Sequence, residues 1–160
     1  IYYQFRTLAS TNASPGSVGQ WSEKVSGMSS VFNKAKNPPM SIHFCWDSVI
    51  DKKEYETWIT LAGDVWKLML TPYSPPGGGS EKYYLRYLLI GLAPEGKVRV
   101  WLNKRDKPNI RLTDKQILIE TVSGEKMEMC NGRSAHKHGY SYPESTKNFI
   151  KDKKYPYGNW

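Results

Sequence analysis

The stretch from Tyr83 to Leu102 carries the clearest alternation of apolar and polar positions in the chain. Its second half sets Lys97, Arg99 and Trp101 against Val98, Val100 and Leu102, the period of two expected of a strand with one buried face. Its first half, Tyr83 to Leu92, has only Arg86 as a charge and is apolar on both faces, which predicts a central strand. Between them lies Ala93-Pro94-Glu95-Gly96. Proline presets φ for the second position of a type I turn, and Gly96 can take the left-handed conformation that follows, so a three-residue hairpin loop is expected.

Two further hairpins follow from the same reasoning. Ser41 to Ser48 places Ile42, Phe44 and Trp46 on one face and His43, Cys45 and Asp47 on the other. A turn at Asp51-Lys52-Lys53 leads into Glu54 to Ala62, where Tyr55, Thr57, Ile59 and Leu61 alternate with Glu54, Glu56, Trp58 and Thr60. Gln116 to Val122, a turn at Ser123-Gly124 and Lys126 to Cys130 predict the third. Ile1 to Ala9 reads as a strand, Ser10 to Gly19 as a loop, and the segment from Trp21 to Phe32 as an irregular strand, because its Gly and Ser content works against the helix its spacing suggests. Asp64 can cap a short helix that presents Val65, Leu68 and Met69 on one face and stops at Pro72; Ser145 can cap one more turn, through Phe149. The sum is an α+β fold, mainly antiparallel β hairpins forming a sheet or sandwich with one or two short helices, in a single domain over residues 1–160.

A chain of 160 residues can bury a core without help from metals or several disulfides. Eleven Tyr and six Trp suit a sheet-rich core. No apolar run is long enough to span a membrane as a helix. The chain starts at Ile1 without a leader or a lipid-attachment cysteine, which is expected if that part has been removed. Charge changes the picture more. Residues 1–80 hold seven Lys and Arg against six Asp and Glu, whereas residues 81–160 hold sixteen against nine, so the net charge of +8 belongs mostly to the second half. Such a surface can steer the protein towards nucleic acid, an anionic membrane or an acidic protein, or merely keep it soluble.

The candidate chemistry is sparse. Cys45 and Cys130 lack ligand-like spacing, which excludes a zinc ribbon; they are either one long-range disulfide in an oxidising compartment or two unpaired small hydrophobes. His136 and His138 would point the same way on an extended segment, but no third metal ligand is visible, and neither a metal nor another cofactor is expected. His43, Cys45 and Asp47 share a strand face, a formal Cys-His-Asp set for a small hydrolase. Positions two apart on a strand are separated by roughly 7 Å, which is too far for a nucleophile-to-base hydrogen bond, so a partly buried face is the plainer reading. Pro75-Pro76-Gly77-Gly78-Gly79-Ser80 lacks the Gly-Lys-Ser/Thr end of a phosphate loop and reads as a flexible rim connection. Lys151 to Tyr157 interleaves basic and aromatic residues as single-strand binders do, yet no recognition module accompanies it, and nucleic acid is not expected as a partner.

Two stretches resemble a known family. Pro39-Met40-Ser41-Ile42-His43-Phe44-Cys45-Trp46-Asp47-Ser48 with Tyr55-Glu56 resembles the proline, hydrophobic strand, Trp-x-Ser and Tyr-Glu pattern of the bacterial lipoproteins catalogued as domain of unknown function 2931. Gly91 to Trp101 is similar to that family's second signature. Val49 stands where leucine is expected and Glu95 where glycine is common. The resemblance implies an exported, non-enzymatic lipoprotein, anchored to the outer membrane and facing the periplasm, that protects the producing cell from a type VI secretion phospholipase or lipase effector. It carries no catalytic residues over to this chain. The expected partner is therefore the toxin itself, met through rim loops at Tyr73, Lys104, Arg105 and Lys107, whose aromatic and basic groups suit an acidic partner. The alternatives are a small hydrolase built around His43 and Asp47, and a basic module for nucleic acid or anionic lipid.

Overall fold

The computed structural model describes residues 37–75, 77–104, 108–134, 138–142 and 144–158. The chain divides into two compact units, one of residues 38–141 and one of residues 1–37 with 142–160. The expected elements between Ile1 and Phe32 lie outside the described residues.

The larger unit is antiparallel throughout its described strands. Strands β1 (Ser41–Ser48), β2 (Lys53–Leu61) and β6 (Ile117–Val122) form one sheet in the order β1-β2-β6; β3 (Leu88–Ala93), β4 (Lys97–Leu102) and β5 (Ile110–Arg111) form a second in the order β3-β4-β5. Helix α1 (Gly63–Leu70) follows β2 directly. In the smaller unit, helix α2 (Glu144–Ile150) leads to a tail in which the Lys153 ammonium lies 3.6 Å from the centre of the Phe149 ring.

The predicted alternation decides which faces are buried. Ile59 and Leu61 of β2, Ile117 of β6, Val100 and Leu102 of β4, and Val65 and Met69 of α1 form one core, joined by Leu85 and Leu112 from the connecting segments. Both sheets and the helix thus bury their apolar sides together. A polar thread runs beside this core: the Trp46 indole N–H donates to Thr57 Oγ1 at 2.9 Å, and Thr57 shares a 3.0 Å hydrogen bond with Thr121. The tip of the β3–β4 hairpin packs on the first sheet, since a Cβ added at Gly96 would stand 3.0 Å from Tyr55 Cε1 and 3.1 Å from Thr121 Cγ2. Asp51, in the β1–β2 turn, ties the same corner by accepting from the Tyr55 hydroxyl at 2.5 Å and the Glu95 N–H at 2.8 Å.

Four expectations are corrected. The first arm of the opening hairpin starts at Leu88, not Tyr83, because the Arg86 N–H turns back onto the Tyr84 carbonyl at 3.0 Å and interrupts the strand around a wholly buried Leu85. Among the described strands β4, not β3, is the middle one, since it has partners on both sides. The loop keeps the expected three residues and the left-handed Gly96 (φ 71°), but Glu95 also has positive φ (65°), where a type I turn requires a negative one. Helix α1 is capped by Ala62 without a side-chain bond, and Asp64 lies in its first turn, where its charge suits the helix dipole.

The expected second arm of the third hairpin is also absent. After a single 3-10 turn at Gly124–Lys126, residues 128–130 make no ladder with β6. Their N–H groups go elsewhere, to a buried carboxylate.

Candidate functional site

On an antiparallel pair, residues opposite each other share a face. The register sets Cys45 opposite Glu56 and His43 opposite Trp58, so these four lie on the side of the first sheet away from the core. The sequence marks that face as partly buried, and at its centre burial is complete: Glu56 is fully buried.

The segment after the 3-10 turn covers it. Glu56 Oε2 accepts the N–H of Glu128 at 2.8 Å and of Cys130 at 3.1 Å, while Oε1 accepts the N–H of Met129 at 3.2 Å and faces His43 Nε2 at 2.6 Å. Burial alone would push the Glu56 carboxyl up. The Cys130 N–H, His43 and the N–H groups of Met129 and Glu128 outweigh it and hold the carboxyl below its usual range. A bond between Cys45 and Cys130 staples the covering segment to β1, with the two Cα atoms 5.5 Å apart. His43 stacks on Trp58 with ring centres 4.4 Å apart, and its side chain keeps 31% of its surface exposed.

Chemically this is a clamp. A carboxylate with four donors and no exposed surface cannot reach a substrate proton, but it can fix the tautomer and orientation of His43. The sulfur nearest to that histidine in register is tied up in the disulfide. Asp47, grouped with His43 in the sequence, accepts instead from the Tyr140 hydroxyl at 3.2 Å. Burial, followed by the Asp47 charge, raises the Tyr140 phenol above its ordinary pKa even though Ser134 pulls the other way. Two open clefts of about 410 and 450 Å³ lie beside the sheets, the first around Val98 and Ile119 and the second around Lys53 and Tyr140; neither is lined by His43 or Asp47.

A different feature stands out at the surface. The loop from Tyr73 to Tyr83 is closed at its base by a two-residue bridge, with paired backbone hydrogen bonds at 2.8 and 2.9 Å and the two tyrosine rings 5.7 Å apart. Beyond that base Leu85 plugs the core while its neighbours Tyr84 and Arg86 project, the guanidinium 5.5 Å from the centre of the Tyr84 ring. Tyr87 follows with 48% of its surface exposed, and its carbonyl accepts the Asn103 N–H at 2.9 Å. The result is a Tyr-Arg-Tyr strap pinned at both ends.

The sequence candidates fall partly here. Tyr73 stands half-buried at the base of the strap, its hydroxyl directed at the Leu68 carbonyl at 3.4 Å. Lys104 is half-buried in a loop whose backbone donates to Asn109 Oδ1 at 3.3 Å. Arg105, Lys107 and His136 lie outside the described residues. Tyr84, Arg86 and Tyr87 were absent from the candidates because they read as part of a strand; the lone charge in an otherwise apolar run was the available signal.

The family model described as protein of unknown function (DUF2931) matches residues 3–158. The chain belongs to this family. The match takes in the clamp, the strap and both sheets of the DUF2931 fold, so the resemblance of the two short stretches extends over nearly the whole chain. No curated protein and no solved structure matches it.

Proposed function

We propose that this DUF2931 protein is a non-enzymatic binding protein: an exported immunity lipoprotein, lipid-anchored to the outer membrane and facing the periplasm, that neutralises a type VI secretion lipase by covering its active site or membrane-binding surface. The observation that carries the reading is the Tyr84-Arg86-Tyr87 strap. Tyrosine and arginine dominate binding energy at protein interfaces, and side chains held in place before contact lose little entropy on association. Leu85 and the Tyr73–Tyr83 bridge hold this set in place. The Cys45–Cys130 bond supports export, because such bonds persist in oxidising compartments. The net charge of +8 supports an acidic partner.

The test is co-purification with the products of the adjacent genes, together with an assay of any lipase among them. A tight complex with lost lipase activity is expected, weakened roughly 30-fold by Arg86→Ala if that side chain contributes about 2 kcal/mol. Absence of a complex with every adjacent gene product refutes the proposal. The hydrolase alternative has one observation in its favour, the 2.6 Å His43–Glu56 pair, an orienting carboxylate on a potential base. It predicts ester turnover lost in His43→Ala, whereas the binding reading predicts inhibition untouched by that change.

A further inference from the structure

The clamp holds more ligand chemistry than its bonding uses. A ring nitrogen of His43, a carboxylate oxygen of Glu56 and the sulfur of Cys130 all lie within 4.8 Å of one another, and the second sulfur, of Cys45, is bonded to the first. In a tetrahedral zinc site, bonds of about 2.3 Å to sulfur and 2.0–2.1 Å to nitrogen or oxygen place the ligand atoms roughly 3.3–3.8 Å apart. We propose that, when the disulfide is reduced, Cys45, Cys130, His43 and Glu56 form a four-ligand site for a zinc-type divalent transition metal ion.

The step balances with a dithiol as reductant. The dithiol gives two electrons and two protons to the Cys45–Cys130 bond, which becomes two thiols, and closes to its own disulfide. Metal binding then releases the two thiol protons to solvent and leaves two thiolates on the ion. In space, the Cys130 sulfur, within 4.8 Å of the other two atoms, closes on them to about 3.5 Å, His43 Nε2 and Glu56 Oε1 part from 2.6 Å to about 3.3 Å as their hydrogen bond gives way to the ion, and the two sulfurs move apart to about 3.8 Å. Cys45 sits on a laddered strand and Cys130 in a turn, so the turn side can absorb the movement.

Two observations favour this assignment over a chance grouping. Glu56 Oε2 is held by the Glu128 and Cys130 N–H groups, so Oε1 can exchange its His43 contact for a metal while the carboxylate stays oriented, the outer support that metal-bound carboxylates have. His43 and Cys45 are both exposed in spite of the buried carboxylate beside them, which opens a path for reductant and ion. Two sulfurs, one nitrogen and one oxygen select zinc or cobalt over magnesium or calcium.

The experiment uses the whole chain, oxidised or reduced with dithiothreitol and desalted without oxygen, titrated with Co²⁺. The reduced protein is expected to bind one Co²⁺ with the visible bands of a tetrahedral ion and a thiolate-to-cobalt charge-transfer band, to release it to Zn²⁺, and to keep its circular dichroism spectrum. The oxidised protein is expected to show neither band. His43→Ala should weaken binding at least tenfold, the range found on losing a ligand or its support, and Cys45→Ser should halve the charge-transfer intensity. The proposal is overturned if the reduced protein binds no Co²⁺, whether folded or not, if the spectrum is octahedral, or if His43→Ala binds as tightly as the parent. None of these readouts depends on a lipase, so they stand or fall apart from the immunity reading.

Discussion

Replacing Glu56 with glutamine tests whether the clamp holds the outer face of the first sheet together. The side chain keeps its size and loses its charge and half its acceptor capacity. Glu56 accepts four donors, two at each oxygen. Glutamine can serve the pair at one position only, because its amide nitrogen donates; the other two donors are left facing an N–H group. Each buried donor left unsatisfied costs about 1–3 kcal/mol, and a broken buried charge contact falls in the same upper range, so a loss of about 3–5 kcal/mol is expected. For a chain of this length about 1 kcal/mol moves Tm by roughly 2–4 °C, which puts the expected drop at about 6–20 °C. Differential scanning calorimetry at neutral pH measures it. The acid limb gives a second check with a defined sign. The Glu56 carboxyl is held below its usual range in the fold, so its contribution is fully present above the ordinary carboxyl pKa and is lost as pH falls through the lowered folded value. The parent and Glu56→Gln should therefore converge in acid and diverge towards neutrality. A neutral-pH Tm difference under about 2 °C, or a gap that does not close in acid, refutes the account of this carboxylate.

Three other perturbations separate backbone, packing and cross-link contributions. Glu95 holds φ of 65°, so Glu95→Gly should raise stability by about 0.5–1 kcal/mol after the loss of its exposed 2.8 Å pair with Lys97; urea unfolding giving a lower midpoint contradicts this. Gly96→Ala should destabilise by about 1–3 kcal/mol, since the new Cβ combines φ of 71° with close approach to Tyr55 and Thr121, and a neutral effect in the same assay counts against the packing described for that corner. Removing the staple in a Cys45→Ala, Cys130→Ala double variant should cost about 2–4 kcal/mol, somewhat under the roughly 4.6 kcal/mol that loop-closure entropy assigns to a separation of 85 residues. Amide exchange should then rise first at positions 128–130; exchange spread evenly over both sheets would contradict a local staple.

What could be read from the sequence divides along one physical line. Alternation with period two reports burial on a face, and it located the inner side of β2 correctly: Tyr55, Thr57, Ile59 and Leu61 are all buried. The same pattern groups Glu56 with Glu54, Trp58 and Thr60 on the other face but does not show that Glu56 is covered, because an isolated strand carries no sign of chain folded over its outer side. That cover comes from residues about 72–74 positions later, and their own sequence, Lys126 to Cys130, has the composition of a strand arm. A strand arm and a carboxylate clamp compete for the same backbone N–H groups. The charged acceptor wins here: hydrogen bonds to an ionised group are worth about twice those to a neutral carbonyl, and the disulfide keeps the segment within reach of it. The two cysteines were thus the legible trace of the clamp, since a bond from β1 to position 130 forbids a hairpin arm that continues along β6. The strap was hidden for the opposite reason. Tyr83 to Tyr87 is apolar enough to read as strand, but only Leu85 is fully buried while Tyr83 packs at the edge of the core, and Tyr84 and Tyr87 on either side of the anchor stay exposed, a break in alternation that period-two reading takes for a strand buried on both faces.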